Sequence, residues 1–200
     1  MYNSQSELPL TIYSMIAQWE SQCISENVKW GIKRKMEKGK FTLPYSRFLG
    51  YHQGKDGKPE ITKREARIIR EIYLLFLDGV SINRICKYLM RLKRKTPGGG
   101  AVWHYDTVLS ILTNEKYAGI AILQKTYVKD FLNHISVVNN DQSQYLVQPS
   151  HPAIIPLGTF LKTQQELKRR GYKIKFPIRE EAIKILEEVV DDAAGENNLY

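Results

Sequence analysis

Two short basic runs are where this sequence could do chemistry, and that chemistry is recognition of a polyanion. Residues 29–40 read KWGIKRKMEKGK and gather Lys29, Lys33, Arg34, Lys35, Lys38 and Lys40. Residues 91–100 read RLKRKTPGGG, with Lys93, Arg94 and Lys95 ahead of a glycine-rich stretch that cannot be regular structure. Bond-making chemistry has no comparable set of residues. His52, His104, His134 and His151 are scattered, without HxxxH or CxxC spacing. Two cysteines, Cys23 and Cys86, cannot build a disulfide framework or a four-cysteine zinc site, so no metal and no cofactor is expected. No strand–GxxxxGK–helix unit is present. The carboxylates cluster near the C-terminus, where Glu180-Glu181, Glu187-Glu188 and Asp191-Asp192 alternate with apolar residues. That pattern is a solvated helix face and not an acid/base pair.

Charge is distributed unevenly around those runs. Residues 25–130 carry 22 Lys+Arg against 10 Asp+Glu, the last 25 residues carry 2 against 7, and the whole chain is +9. A basic middle with an acidic tail fits a polyanion partner; a solvated surface with excess lysine fits the charge equally well. The chain has 200 residues, 42% of them hydrophobic, enough for one ordinary domain or two small ones. No stretch approaches the roughly 20 apolar residues of a membrane span, and Met1–Leu10 has no basic residue and no apolar run. A cytoplasmic protein with no membrane partner is expected.

The elements that must position the basic runs can be read from periodicity. Ile12, Ile16, Trp19, Cys23 and Trp30 form a helical seam, predicting one long helix from about Leu10 to about Lys38, ended by Gly39. Its first half suits a protein surface and its second half suits phosphates. Residues 39–60 read as an irregular connector. Thr62-Lys63-Arg64-Glu65 reads as a capping box opening a helix to about Leu77, with Ile68, Ile69, Ile72, Leu75 and Phe76 apolar. Asp78-Gly79 stops it, and Ser81 caps a second helix with Ile82, Ile85, Cys86 and Leu89 inward. A third helix, about 104–113, buries Val108, Ile111 and Leu112. Three short helices with a basic loop before the last make a loose helix-turn-helix, whose final helix reads bases from its N-terminal end. That leaves His104, Tyr105, Thr107 and Ser110 facing outward, while Asp106 is expected to be turned aside unless it accepts from a cytosine amino group. Lys93, Arg94 and Lys95 are expected to hold flanking phosphates, and Trp103 to be core. Beyond Asn114, strands are expected over Tyr117–Val128 and Ser143–Gln148 with a turn at Asn139-Asn140-Asp141. A short helix over Gly158–Arg170 and an acidic amphipathic helix from Ile178 follow. The fold class is α+β, mainly α: a long N-terminal helix, a helix-turn-helix-like three-helix domain, a small β-hairpin region and C-terminal helices.

Several of these segments resemble large serine recombinases, the phage-integrase and mobile-element enzymes. They are Ser25-Glu26-Asn27-Val28-Lys29-Trp30-Gly31, Ile61 to Gly79, Gly99 to Leu112, and Asn114-Glu115-Lys116-Tyr117-Ala118-Gly119. Gln124-Lys125-Thr126-Tyr127 near Asp130 and His151-Pro152-Ala153-Ile154-Ile155-Pro156 extend the likeness over about residues 8–171. In such enzymes a catalytic domain with a serine nucleophile leads through a long helix to a recombinase domain and then a zinc-ribbon domain. The resemblance implies a connecting helix over 1–38, a recombinase domain over 39–115, and over 116–171 the end of that domain with the start of the zinc domain. Residues 172–200 are an acidic helical tail without a family match. About ten residues precede the helix and no cysteine follows Arg170. The nucleophile and the metal-binding part are therefore expected to be absent from this chain.

The resemblance implies binding of double-stranded attachment-site DNA without catalysis in this chain. The apolar stripe of Ile12, Ile16 and Trp19 is expected to be covered, by self-association through the long helix or by folding back on the body or on the C-terminal helix. A recombinase-derived DNA-binding regulator is the second reading. A protein–protein module with an incidental basic surface is the third.

Overall fold

The computed structural model describes residues 4–39, 43–130, 135–139, 143–175 and 177–196. Lys40, His134, Asn140 and Asp141, all named above, lie outside the described residues. The fold is α+β and mainly α. Helix α1 is Ser4–Glu37, α2 Lys63–Leu77, α3 Ile82–Arg91, α4 Tyr105–Leu112, α5 Leu157–Arg169 and α6 Glu180–Glu196. Strands β1 (Tyr51–Gln53) and β2 (Pro59–Ile61) pair, as do β3 (Ala121–Leu123) with β6 (Tyr145–Val147) and β4 (Thr126–Asp130) with β5 (Ile135–Val138). The chain divides into two compact units. One contains α1 and the β4–β5 hairpin; the other contains α2–α6 and the β1–β2 hairpin.

In the second unit the apolar faces read from periodicity form the core. Ile69, Ile72, Phe76, Ile82, Ile85, Leu89, Val108 and Leu112 are all fully buried. Helix α5 adds Phe160 and Leu167, and α6 packs on α5 through Leu186. Polar contacts then fix α4 at its C-terminal end. The Tyr73 hydroxyl of α2 donates to the Ile111 carbonyl at 3.0 Å, and Gln164 Nε2 of α5 donates to the Leu112 carbonyl at 2.8 Å. Both carbonyls lie in the last turn, beyond the helix's own i+4 donors, and the Ile111 carbonyl also takes the Asn114 N–H at 3.3 Å. With its C-terminal end held from two sides, α4 keeps its N-terminal end facing solvent.

Helices α2 and α5 end with glycine in the left-handed region, Gly79 at φ 93° and Gly171 at φ 71°. Each closes with the paired hydrogen bonds of a Schellman turn, Gly79 N–H to Phe76 O with Val80 N–H to Leu75 O, and Gly171 N–H to Lys168 O with Tyr172 N–H to Leu167 O. Helix α3 closes the same way, Lys93 N–H to Met90 O and Arg94 N–H to Leu89 O, but its left-handed residue is Lys93, at φ 52°.

Local expectations differ from the structure in several places. Helix α1 begins at Ser4, with Pro9 inside it, rather than near Leu10. The capping box does not form: neither Thr62 nor Ser81 makes a side-chain cap bond. The Glu65 carboxylate instead accepts from the Gly50 N–H at 2.9 Å, and the Thr62 hydroxyl meets His52 Nδ1 at 3.0 Å. A tertiary donor outcompetes the local one. The connector after α1 is partly regular, with a 3₁₀ turn at Tyr45–Arg47 and the β1–β2 hairpin. The strand expected over Tyr117–Val128 is broken, because Glu115–Ala118 is a 3₁₀ turn that ends at Gly119, φ 73°. Strand β5 was not expected; Asn139, expected in a turn at the hairpin tip, instead lies beside the start of β4, its N–H donating to Lys125 O and its Nδ2 to Gln124 O.

The segments that carry the family resemblance clasp one another. The Tyr117 carbonyl accepts from both Ile154 and Ile155 N–H at 2.9 Å. The Tyr51 hydroxyl donates to Pro152 O at 2.7 Å, and the Tyr117 ring stacks on Phe48 at 4.9 Å. Gly119 is required here twice over: its φ is positive, and a Cβ would sit 2.8 Å from the His151 carbonyl oxygen. Glu115 is fully buried, its carboxylate accepting from Ile122 N–H at 3.4 Å and facing Lys116 Nζ at 3.6 Å.

Candidate nucleic-acid interface

Residues 92–103 connect α3 to α4. Thr96 N–H to Gly100 O and Gly99 N–H to Thr96 O, both 2.8 Å, close a compact turn in which Gly99 has φ 80°. The loop is anchored at its far end by Trp103, which is buried and donates from Nε1 to the Arg94 carbonyl at 2.9 Å. Trp103 is core, as its position before α4 suggested. Around Gly98 and Gly99 there is open space.

This turn is the wall between two grooves. The first, about 430 Å³, is lined by His104, Asp106, Thr107, Ser110 and Asn114 with Arg47, over a floor that includes Phe48, Ile111 and Tyr117. The second, about 780 Å³, is lined by Arg64, Lys93, Arg94 and Lys95 with His52, Tyr45 and the first turn of α2. Thr96, Pro97 and Gly98 belong to both.

The structure thus brings His104, Thr107 and Ser110 together. They stand at successive three-residue steps, which share one helix face. His104 is the N-cap position of α4 but makes no side-chain cap bond, leaving its imidazole free for another partner. Tyr105 is set apart: it is 38% exposed, its ring lies 6.3 Å from that of Tyr172, and it does not line the groove. Burial and the neighbouring Tyr172 and Asp106 raise its hydroxyl pKa. Asp106 does line the groove, contrary to the expectation that it is turned aside.

The basic loop is also not uniform. Lys93 and Lys95 are exposed. Arg94 is half-buried and reaches Glu71 of α2 at 3.3 Å, so its guanidinium ties the loop to the bundle. Arg64 and Arg47 are cations of these grooves that charge runs did not reveal. Arg47 follows Pro44-Tyr45-Ser46, where no periodicity marks a site; its signal is only that Leu43, Phe48 and Leu49 around it are buried.

In the other unit, Lys29, Lys33, Arg34, Lys35 and Lys38 are exposed along the end of α1. Arg34 lies 5.0 Å over the Trp30 ring and 3.8 Å from Glu37. Trp30, Lys29 and Lys33 line a groove of about 460 Å³ with Gln124, Tyr127 and Val128 of the hairpin region. Ile12, Ile16 and Trp19 are exposed, Trp19 by 68%. Among the described residues no helix is long and apolar enough to cross a membrane, and no group of three or more His, Cys, Asp or Glu could hold a metal.

The α2–α6 unit is thus a bundle of short helices with a solvent-facing helix end beside a basic loop. The Recombinase family model matches residues 63–170, over half of the chain, and the chain belongs to that family. It is 29% identical over 163 residues to a Bacillus subtilis (strain 168) protein named "Putative DNA recombinase", covering 76% of this chain and 32% of that one. Among solved structures it is similar to a chain of "Crystal Structure of a LSR-DNA Complex", with 25% identity, TM-score 0.44, and 67% and 36% coverage of the two chains. It is also similar to a chain of "Sequence Requirements of the Listeria innocua prophage attP site", with 25% identity, TM-score 0.48, and 72% and 52% coverage. The chain therefore spans about a third of the curated relative and a third to a half of these solved chains.

Proposed function

We propose that this chain is the DNA-binding portion of a site-specific serine recombinase of the phage-integrase kind, recognising duplex attachment-site DNA for movement of a mobile element, without catalysing strand exchange itself. The observation that carries this reading is that His104, Thr107 and Ser110 line one groove at the free end of α4, separated by a single turn from a groove bearing Lys93 and Lys95. Base edges are read by a helix entering the major groove, while cations beside it fix phosphates and register. The helix-turn-helix is α2–α4 with an enlarged turn, within a recombinase domain over 39–115. Residues 116–171 complete that domain and begin the next, and 172–200 form the acidic tail. The cations Lys29, Lys33, Arg34, Lys35 and Lys38, with Lys40, add backbone contacts, and exposed Ile12, Ile16 and Trp19 support self-association through α1. The protein acts in the cytoplasm, needs no cofactor and has no membrane partner.

Binding to duplex DNA measured across a salt series tests this. Affinity should fall steeply with salt, and neutralising Lys33, Arg34 and Lys38 should weaken all sequences alike and flatten the slope by about one per lost contact. Salt-independent association, or none, would favour a protein–protein module. Covalent protein–DNA adducts would show that the chain is itself catalytic.

A further inference from the structure

Among the described residues that line the base-facing groove, Arg47 is the one arginine or lysine, and charge runs in the sequence gave no sign of it. Arg47 is exposed and, among the described residues, its guanidinium has neither a hydrogen bond nor an ion pair in the structure. Its backbone is nevertheless fixed. It ends the 3₁₀ turn Tyr45–Arg47, whose next residue, Phe48, is buried and lies almost parallel to the Tyr117 ring, with 4.9 Å between centroids and 4° between planes. Tyr117 belongs to the turn that follows α4. The stem that carries Arg47 is therefore locked to the end of the helix carrying His104, Thr107 and Ser110.

The other polar groups of the groove are less suited to a bidentate contact. Asn114 could pair with an adenine edge only with its amide free, but its Oδ1 already accepts from Lys116 N–H at 3.2 Å. His104, Thr107 and Ser110 offer single contacts. Asp106 lines the same groove and has no cation paired with it among the described residues. A phosphate entering there would meet that carboxylate, whereas a base edge would not be repelled. Phosphates have the neighbouring groove, with Arg64, Lys93 and Lys95.

We infer that Arg47 is a specificity-determining residue, reading a guanine in the major groove by two parallel hydrogen bonds to its O6 and N7. The arginine fork matches those two acceptors, and among base pairs only the guanine edge offers both. This inference rests on the DNA-binding reading above and names what its groove selects.

Selection from a randomised duplex DNA library, using the full chain, tests it. Wild-type protein should enrich a motif with a guanine at one position beside the contacts of α4. Arg47→Ala should lose that guanine alone, with discrimination at the position falling roughly ten-fold or more, while the salt dependence of binding stays as in wild type. Arg47→Lys should keep part of the preference. A wild-type motif that survives Arg47→Ala, with all sequences weakened alike and the salt slope reduced by about one, would make Arg47 a phosphate contact and overturn the assignment alone. No enriched motif from wild-type protein would overturn the DNA-binding reading and this assignment with it.

Discussion

Thr107 and Ser110 face the groove one helical step apart, while Tyr105, one residue from His104, leans on Tyr172. The three residues should therefore separate in experiment. On a duplex selected by the wild-type chain, Thr107→Ala and Ser110→Ala should each cost about 1–3 kcal/mol, with little loss on random DNA. Tyr105→Ala should change neither; a specific loss at Tyr105, or equal losses on both duplexes for the other two, would move the readout elsewhere. Sequence periodicity placed Val108, Ile111 and Leu112 inward, where the structure buries them, and so put His104, Thr107 and Ser110 on the other side. It could not place Tyr105, whose neighbour comes from a turn far along the chain, nor Asp106, which shares the groove. Lys93 makes a second prediction. A lysine with φ 52° sits where α2 and α5 use glycine, at a cost of about 1 kcal/mol relative to glycine. Lys93→Gly should raise the free energy of unfolding by about that amount while lowering the salt slope of DNA binding by about one. Strain of this kind persists where the side chain has a task. A stabilised variant with unaltered salt dependence would deny Lys93 that task.

Long amphipathic elements were legible because their faces repeat: the bounds of α2, α4 and α5 fall within one residue of where the pattern placed them, and α3 follows its expected cap position, Ser81. Strand β6 lies inside the strand expected over Ser143–Gln148 and β3 inside that expected over Tyr117–Val128, whereas β1 and β2 carry no period to read, and the 3₁₀ turns at Tyr45–Arg47 and Glu115–Ala118 depend on distant partners. The turn at Glu115–Ala118 and the His151–Pro156 segment form one such dependence, and it is sensitive to acid. His151 is buried, with Nε2 2.6 Å from Lys116 O and Nδ1 2.7 Å from the Ser150 hydroxyl. Nε2 must donate to the carbonyl, and Nδ1 faces the Ser150 hydroxyl, whose single proton goes to the Gly119 carbonyl at 2.9 Å. Burial is the main reason its pKa lies below the ordinary histidine value of 6.5; the Lys116 carbonyl opposes that shift. A depressed folded-state pKa means that the unfolded chain takes up the proton first. Stability should be full above about pH 6.5 and decline as pH falls through that value toward the folded-state pKa. Glu166 does not contribute in this window: hydrogen bonds from Arg169 and Arg170 hold its carboxyl down to about 2. Denaturant unfolding at pH 7.5 and 5.5 checks this, and His151→Gln should flatten the difference. An unchanged pH dependence in that variant would assign it to another group.

Across the whole chain, the matched family segment, residues 63–170, and the resemblance read over about residues 8–171 agree on the bundle. They do not explain α6, whose place on α5 through Leu186 could not be foreseen from an acidic amphipathic pattern alone. Helix α1 leaves Ile12, Ile16 and Trp19 exposed on one seam, an apolar stripe of the kind that marks an interaction surface. Sedimentation of the chain should show a dimer or larger species that Trp19→Asp converts to monomer; a wild-type monomer at micromolar concentration would contradict self-association. The pairing of β3 with β6 has a consequence for engineering. The main chain leaves the α2–α6 unit after Ile122 and returns at Leu146, through two strands that are hydrogen-bonded neighbours. Neighbouring strands lie about 5 Å apart, so exit and re-entry form a narrow gate that a flexible linker of about six residues can span. Replacing residues 124–144 by Gly/Ser of that length should leave α2–α5 cooperatively folded, with an unfolding midpoint within a few degrees of the parent. The hairpin would then be a removable cassette, and the same gate a place where a foreign domain could be spliced into the chain without disturbing the bundle.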